Sequence, residues 1–213
     1  MTRLVLATDN SGKIAEFREA LAGSALRLIT AREAKVLPLP VESAASYEEN
    51  ALLKAGHAAA RSGLPSLADD SGLEVDALAG EPGVHSARFG GNLSAGERIA
   101  HLLSKLKHVP DEKRGARFVC ALVMATPRGH VATFYGVSAG LILQGPRGAQ
   151  GFGYDPVFYS FELGKSFAEA TAQEKRRVSH RGRALQQLLA WLARPESRRL
   201  LAEGSSAGRD GGE

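Results

Sequence analysis

The chain has 213 residues, of which 44% are hydrophobic and 23% charged, and its formal net charge is +4 at pH 7. This length suffices for one domain, with or without two lobes, around a substantial core. No apolar run approaches the ~20 residues that span a bilayer, so no membrane-spanning helix is expected. The apolar start is too short for a signal peptide, and the single cysteine, Cys120, excludes an intrachain disulfide. We therefore expect a cytoplasmic protein whose positive charge favours anionic ligands.

Strands and helices alternate in the first part of the chain. An apolar run predicts a strand over 3–8, and the spacing of Ile14, Phe17 and Leu21 predicts a helix over 11–22. A second strand is expected over 26–30. Ser46 and Glu49 form a capping-box pattern that opens an Ala-rich helix reaching about residue 62.

The second part of the chain combines a hairpin with further helices. Capping patterns at Ser94-x-x-Glu97 and Thr171-x-x-Glu174 each predict a helix start. Pro127-Arg128-Gly129 indicates a turn between two long strands, over 116–125 and 130–143. Leucines from 185 to 192 mark a last amphipathic helix. This order predicts an α/β fold with a mixed sheet over residues 1–193, followed at 194–213 by a basic and then disordered tail.

Two adjacent acids, Asp69 and Asp70, lie between apolar segments and are followed by Ser71 and Gly72. Neighbouring side chains of a strand point to opposite faces, so both acids reach one ligand only where the backbone turns. Gly72 permits such a turn. Carboxylate oxygens of this kind suit Mg²⁺, which binds one or two carboxylates together with waters and phosphates. The alternative is a solvated turn without chemistry.

The loop between the first strand and the first helix has features of an anion site. It reads Thr8-Asp9-Asn10-Ser11-Gly12-Lys13, and a helix N-terminus presents free N–H groups to a phosphate. Lys13 adds a positive charge, although the spacing is not that of a Walker A loop. The alternative is that Asn10 or Ser11 serves only as the helix N-cap. Asp9 argues against a polyphosphate lying directly on it.

A glycine-rich loop carries an aromatic ring between two glycines, in Gly151-Phe152-Gly153-Tyr154-Asp155-Pro156. An exposed ring in this setting can stack on a nucleotide base, and Asp155, held extended before a proline, can accept hydrogen bonds from a base edge. The alternative is a buried Phe at a loop corner.

A basic group follows, in which Lys175 and Ser179 share one helical face with His180 and Arg181 beside them. A solvated basic helix end is the plain alternative. Together the four groups indicate a site for a nucleoside polyphosphate. The competing hypothesis is a nucleic-acid-binding module that uses the basic C-terminal region. It explains neither the Asp69-Asp70 pair nor Lys13, so we predict no nucleic-acid partner. We also predict no membrane partner.

These motifs occur together, in order, from Leu4 to about Leu192. They are Ala7-Thr8-x-Asn10-x-Gly12-Lys13, Ser46-Tyr47-Glu48-Glu49-Asn50-Ala51, Ala68-Asp69-Asp70-Ser71-Gly72-Leu73, Pro82-Gly83-Val84-x-Ser86-Ala87-Arg88, Gly151-Phe152-Gly153-Tyr154-Asp155-Pro156, and Glu174-Lys175 with Ser179-His180-Arg181. With these motifs in this order, the chain resembles the inosine triphosphate pyrophosphatase family. The resemblance implies an elongated mixed sheet with flanking helices, two lobes that form a central cleft, and a homodimer. It also implies Mg²⁺-dependent hydrolysis of ITP, dITP and XTP to the nucleoside monophosphate and pyrophosphate.

The resemblance further assigns roles to residues. Asp70 matches the proton acceptor and metal ligand, with Glu42 and Asp69 as further acids near the metal and Lys13 as a catalytic cation. The substrate-binding positions it implies are Thr8, Asp9, Asn10, Ser11, Gly12, Lys13, Ser71, Phe152, Gly153, Tyr154, Asp155, Lys175, His180 and Arg181. Asp9 departs from the small or neutral residue usual there. Donors such as His180 and Arg181 favour a 6-oxo purine over adenine, and the nearest competing hypothesis is the same chemistry on a modified pyrimidine.

Overall fold

A computed structural model describes residues 2–129 and 131–204 of the chain. Its helices are α1 (Ser11–Ala20), α2 (Tyr47–Ser62), α3 (Ala95–Lys105), α4 (Ala172–Val178), α5 (His180–Leu192) and α6 (Pro195–Gly204), with short 3₁₀ turns at Asp76–Leu78, Gly83–Arg88, Asp111–Lys113 and Asp155–Val157. Its strands are β1 (Thr2–Leu6), β2 (Leu26–Thr30), β3 (Ser66–Val75), β4 (Gly115–Ala125), β5 (Val131–Ile142), β6 (Phe158–Ser160) and β7 (Lys165–Ser166). No helix in this part of the chain is long and apolar enough to cross a membrane.

The seven strands form one mixed sheet in the order β2-β1-β3-β4-β5-β6-β7. β1 pairs in parallel with β2 and with β3, whereas β6 pairs antiparallel with β5 and with β7. Parallel neighbours need a crossover between them, and α1 and α2 supply the connections that return the chain to the sheet. The prediction of an α/β fold with a mixed sheet and flanking helices is confirmed.

The chain divides into two compact units, each with its own core. The first comprises the described parts of 1–70, 121–135 and 184–213, and the second comprises 71–120 and 136–183. Small residues dominate the first core, where the alanines of α2 pack with Val5 and Val123. The second core is built from larger side chains, among them Leu73, Leu102 and Phe158.

α2 shows how a local pattern positions site residues. The Ser46 hydroxyl caps the helix by accepting from the Glu49 N–H at 3.2 Å, and Gly63 ends it in the left-handed conformation at φ 65°. Its buried face is a stripe of alanines that also contains Asn50 and Lys54. These two polar residues are four apart, so they leave the helix side by side.

Most predicted elements lie within a few residues of their expected positions. The capping boxes at Ser94 and Thr171 are formed, and they start α3 and α4. The hairpin strands are those predicted, although His130, the expected start of the second, lies outside the described residues. α6 was not predicted: it occupies 195–204, where only a tail was expected. The disordered tail predicted beyond it, at 205–213, also lies outside the described residues.

The turn predicted at the Asp69-Asp70 pair is wrong. β3 runs without interruption from Ser66 to Val75, through both acids and Gly72. Pairing on both edges favours a continuous strand, because Val5 and Leu6 of β1 align with Ser66 and Leu67 and β4 is the hydrogen-bonded neighbour of β3 on its other side. Gly72 permits a turn but does not require one.

Arg114 is the largest fully buried side chain, and it organises the second unit. Its guanidinium donates to the carbonyl oxygens of Ile142 at 2.7 Å, Leu106 at 2.8 Å and Leu143 at 3.0 Å. It therefore ties the segment after α3 to the end of β5 and satisfies carbonyls that water cannot reach.

We expect Arg114→Met to lower the free energy of unfolding by ~3–5 kcal/mol, because the substitution leaves several buried carbonyls without donors. Urea denaturation measures the change. Arg117→Met is the matched control: the Arg117 side chain is 59% exposed and pairs with Glu74, so its loss costs less than ~1 kcal/mol. Equal effects of the two variants would contradict the structural role of Arg114.

Candidate active site

The predicted site residues, together with a few that were not predicted, fall into two clusters, one in each unit. The carboxylate–lysine cluster of the first unit consists of Lys13, Glu42, Asn50, Lys54, Asp69 and Asp70. The aromatic–cation cluster of the second unit consists of Phe118, Phe152, Asp155, Lys175, His180 and Arg181.

Asp69 holds Lys13 in place. Its carboxylate is fully buried, and Oδ1 lies 2.8 Å from the Lys13 Nζ. Asn10 is the N-cap of α1, since its Oδ1 accepts from the Lys13 N–H at 3.0 Å, and the Thr8 hydroxyl accepts from the Asn10 N–H at 3.2 Å. The predicted phosphate loop is thus fixed at the start of α1 with its lysine beside an acid. Asp9, by contrast, is exposed.

Asp70 points to the opposite side of β3, toward α2. Its Oδ2 accepts from the Asn50 Nδ2 at 3.0 Å, and its Oδ1 lies 3.8 Å from the Lys54 Nζ. Burial raises the pKa of Asp70 above its usual value, and the nearby Glu42 acts in the same direction, against the opposing effect of Lys54. A carboxylate with a raised pKa is a better proton acceptor when it is ionised.

Lys54 is the centre of this cluster. Its ammonium forms an ion pair with Glu42 and donates to the main-chain oxygen of Asp69 at 2.7 Å. Burial alone lowers the pKa of Lys54, but the charges of Asp69, Asp70 and Glu42 outweigh it, and the net effect raises this pKa. The side chain therefore stays cationic and joins α2, β3 and the loop that carries Glu42.

The predicted metal ligands Asp70, Glu42 and Asp69 do not form one group. Within residues 2–129 and 131–204, no three His, Cys, Asp or Glu side chains are arranged to hold a metal ion. The reason is the unbroken strand, on which Asp69 faces Lys13 while Asp70 and Glu42 both approach Lys54. Two carboxylates with one common neighbour still fit Mg²⁺, which takes its remaining ligands from water and phosphate.

In the second unit, Asp155 shapes the glycine-rich loop. Its Oδ2 accepts from the Phe152 N–H at 2.8 Å and from the Lys175 Nζ at 2.6 Å. Gly151 has φ 75°, and a Cβ there would lie 2.0 Å from the same oxygen, so only glycine fits. Asp155 is buried. The contacts that the sequence suggested for a base edge are here made to the loop itself and to Lys175.

Two cations flank the half-buried ring of Phe152. The Lys175 Nζ lies 4.9 Å from the ring centroid and the Arg181 Cζ 5.7 Å from it. Arg181 also donates from Nη2 to the Ser71 hydroxyl at 2.8 Å. Four of the residues predicted to bind substrate are therefore brought together: Ser71, Phe152, Lys175 and Arg181.

A helix break at Ser179 sets the directions of His180 and Arg181. α4 ends at Val178, but Ser179 still lies one helical turn beyond Lys175, as predicted, because its φ is −71° and its N–H donates to the Lys175 carbonyl oxygen at 2.8 Å; its ψ of 155° then turns the chain. The Ser179 hydroxyl then accepts from the Gly182 N–H at 3.1 Å and caps α5. A Cβ on Gly182 would lie 1.8 Å from the Arg176 carbonyl oxygen, so glycine lets the two helices meet at this corner.

The start of α4 is fixed by its own ion pair. Glu174 completes the capping box with Thr171 and also contacts the Lys165 Nζ at 2.9 Å. Hydrogen bonds from Lys165 and Thr171 lower the pKa of Glu174 to about 2. The helix turn that presents Lys175 thus begins at a charged and fully capped end.

Tyr154 lies away from this group of cations. It is buried in the second core, and its hydroxyl donates to the Ser86 carbonyl oxygen at 3.0 Å. This position favours a packing role over substrate contact, because the polar end of the ring already has a partner.

Sequence reasoning missed three residues of the clusters: Asn50, Lys54 and Phe118. The first two carried a usable signal, since they are polar residues four apart within the buried alanine stripe of α2. Phe118 stacks on His180, with ring centroids 4.6 Å apart and an interplanar angle of 11°. Alternation along β4 predicts that Phe118 is buried but not which ring it meets.

Chemically, the first cluster combines a buried carboxylate of raised pKa with two lysines and a helix N-terminus. That set can bind phosphate oxygens and accept a proton from water. The second cluster offers a flat ring between cations, with donors that suit a planar ligand rich in acceptors.

Comparison with known proteins shows the family to which the chain is similar. Residues 4–191 match the model of the Ham1 family. The chain is 52% identical over 187 residues to a dITP/XTP pyrophosphatase of Thermus thermophilus, covering 88% of this chain and 90% of that one. It is 48% identical over 200 residues to the dITP/XTP pyrophosphatase of Yersinia pestis, covering 89% and 97%.

Solved structures agree with the sequence matches. A HAM1 protein from Coxiella burnetii superimposes with a TM-score of 0.82 at 42% identity, covering 90% of this chain and 98% of that one. The dITP/XTP pyrophosphatase of Mycobacterium abscessus gives a TM-score of 0.72 at 42% identity, covering 88% and 99%. Family model, sequence relatives and structural neighbours thus span the same region, and this chain belongs to the Ham1 family.

Proposed function

We propose that this protein is a nucleoside triphosphate pyrophosphatase that hydrolyses the non-standard purine nucleotides ITP, dITP and XTP. The observation that carries the proposal is the 52% identity over 187 residues to a dITP/XTP pyrophosphatase. The products are the nucleoside monophosphate and pyrophosphate, and the role is removal of deaminated purines from the nucleotide pool.

Asp70 is the proton acceptor of the proposed reaction. A water oxygen forms a bond to the α-phosphorus, the bond from that phosphorus to the bridging oxygen breaks, and pyrophosphate leaves. Asp70 accepts the proton of the attacking water, a role that its burial and raised pKa support. Asn50 orients the carboxylate through its 3.0 Å hydrogen bond.

The phosphate chain is bound by Lys13 and by main-chain N–H groups of residues 9, 11 and 12 at the start of α1, since those of residues 8, 10 and 13 donate within the chain. Phosphoryl transfer depends mainly on positioning and on neutralising charge at the phosphate oxygens. Asp69 keeps the Lys13 ammonium directed at this loop through the 2.8 Å ion pair. Lys13 is therefore proposed to act as a fixed cation.

We further propose Mg²⁺ as the cofactor, held by Asp70 and Glu42. When bound, it would supply Lewis-acid charge to the phosphate oxygens. The donor set supports this, because hard carboxylate oxygens suit this cation and two are enough beside water and phosphate. Asp69 was also predicted as a ligand of the metal, and that role stays a prediction.

Base selection is assigned to the aromatic–cation cluster. The Phe152 ring offers a stacking face, and Arg181 and His180 offer donors to the acceptor edge of a 6-oxo purine. An adenine 6-amino group would place a donor against a donor, and such a mismatch can cost roughly 10⁴ in specificity. A cytoplasmic homodimer completes the proposal, on the family resemblance alone.

The proposal is tested by measuring pyrophosphate release from ITP, dITP, XTP, GTP and ATP, with Mg²⁺ and with a chelator. We expect release from the first three nucleotides, loss of release in the chelator, and at least ~100-fold lower kcat/KM for ATP. Equal release from all five would contradict the base assignment. No release from any would contradict the proposed reaction.

Asp70→Asn should lower kcat by ~10²–10⁴ while the protein stays folded, because the amide is nearly isosteric but accepts no proton. Steady-state kinetics with ITP and the circular dichroism spectrum measure the two effects. Asp76→Asn, at an exposed acid of the same type, serves as the control and should leave kcat unchanged. A kcat near wild type for Asp70→Asn would rule out Asp70 as the base.

Phe152→Ala should weaken ITP binding by ~1–3 kcal/mol, seen as a raised KM, because the base loses its stacking face. The Phe161 side chain is 60% exposed in the same unit, so Phe161→Ala controls for general loss of a phenyl ring and should leave KM unchanged. An unchanged KM for Phe152→Ala would remove this residue from the base site.

A further inference from the structure

His180 is the residue of the aromatic–cation cluster whose ring geometry is fixed by packing. It is the first residue of α5, and its side chain is buried. The torsion that turns an imidazole is broad and roughly two-fold, so the backbone alone does not set the plane of the ring. The direction of its N–H groups therefore depends on whatever packs against the ring.

Phe118 packs face to face against that imidazole. The two rings are nearly parallel, at 11°, and their centroids are 4.6 Å apart. This is the close end of the range for offset-stacked aromatic pairs. Rotation of the imidazole out of this plane would push its ring atoms into the face of the phenyl ring. The stack therefore holds the His180 imidazole in one plane.

Phe118 is itself held in place, because it is buried against two further rings. Its centroid lies 4.7 Å from that of Phe158, tilted by 59°, and 5.9 Å from that of Phe167, at 9°. Phe158 and Phe167 also contact each other, with centroids 4.9 Å apart. These three rings form a rigid platform in the second core, and His180 rests on one member of it.

We propose that Phe118 is a positioning residue for base recognition: by stacking on His180 it fixes the plane of the imidazole and the direction in which that ring meets the purine. The inference rests on the proposed function, in which His180 faces the base. Phe118 acts through His180, so its loss weakens binding and selectivity and leaves the chemistry at Asp70 intact.

The test is Phe118→Leu, which keeps an apolar side chain but removes the flat face. We expect the KM for ITP to rise about 2- to 10-fold, the range set by the strength of one aromatic pair. kcat should stay at the wild-type value, and the preference for ITP over ATP in kcat/KM should fall. In a His180→Ala background, Phe118→Leu should change KM no further. An equal rise in both backgrounds would overturn the proposal.

Phe89→Leu is the matched control, because Phe89 is a buried ring of the second core that meets His101 edge-on and is not part of this platform. We expect it to lower the melting temperature as Phe118→Leu does, without changing KM or the ITP preference. A KM rise equal to that of Phe118→Leu would mean that any damage to this core has the same effect, and the positioning role would fall.

A spectroscopic measurement decides the point independently of turnover. In the wild-type protein, stacking on Phe118 should move the Hε1 resonance of His180 upfield, and His180→Ala assigns that resonance by removing it. An unshifted resonance would overturn the stack without any variant of Phe118. Absence of ITP hydrolysis by the wild-type protein would instead contradict the proposed function, while this shift would still report whether Phe118 orients His180.

Discussion

Burial of the Lys54 ammonium among acids is the interaction on which the first unit's site depends. An isolated buried charge is very costly, and removal of one partner from a buried pair typically destabilises a protein by ~3–5 kcal/mol. Lys54 avoids that cost through Glu42, Asp70 and the Asp69 main-chain oxygen. These groups come from a loop and from β3. Because the ammonium can be buried only in contact with all of them, the lysine fixes their relative positions.

The same lysine explains why two neighbouring acids have different surroundings. An unbroken strand directs Asp69 and Asp70 to opposite faces, so one meets Lys13 on α1 and the other meets Asn50 and Lys54 on α2. The Asp69 carboxylate lies 2.8 Å from the Lys13 ammonium, whereas the Asp70 Oδ1 lies 3.8 Å from the Lys54 ammonium. Burial then dominates for Asp70 and raises its pKa. The difference in environment separates the acid that pairs with Lys13 from the acid that we propose as the proton acceptor.

Local patterns predicted what local interactions decide. The capping boxes at Ser94 and Thr171 and the glycine that ends α2 depend on residues three or four apart, and all are formed where the sequence places them. The uninterrupted β3 and the corner at Ser179 depend on contacts that the local sequence does not contain. The position of β3 between β1 and β4 favours a continuous strand, and the close approach of Gly182 to the Arg176 carbonyl allows the corner.

The candidate site follows the same division. Residues with a distinctive local setting, such as Lys13 at a helix start or Phe152 between glycines, were predicted from the sequence. Lys54 and Phe118 were not, because their importance comes from partners brought close by the fold: Glu42 for one and the His180 ring for the other. Asn50 and Lys54 nevertheless show that polar residues at helical spacing on an apolar stripe are worth testing as a pair.

Charge balance connects the two lysines of the first unit to the proposed cofactor. With all groups ionised, two ammonium groups face three carboxylates in the carboxylate–lysine cluster, so its net charge is −1. A cluster of that charge repels a nucleoside triphosphate, whatever hydrogen bonds the helix start offers. One divalent cation reverses the sign to +1 and turns the same carboxylates from a barrier into part of the binding site. On this argument the lysines hold the acids in place, Lys13 also binds phosphate oxygens, and the proposed Mg²⁺ would supply the positive net charge that attracts the phosphate chain.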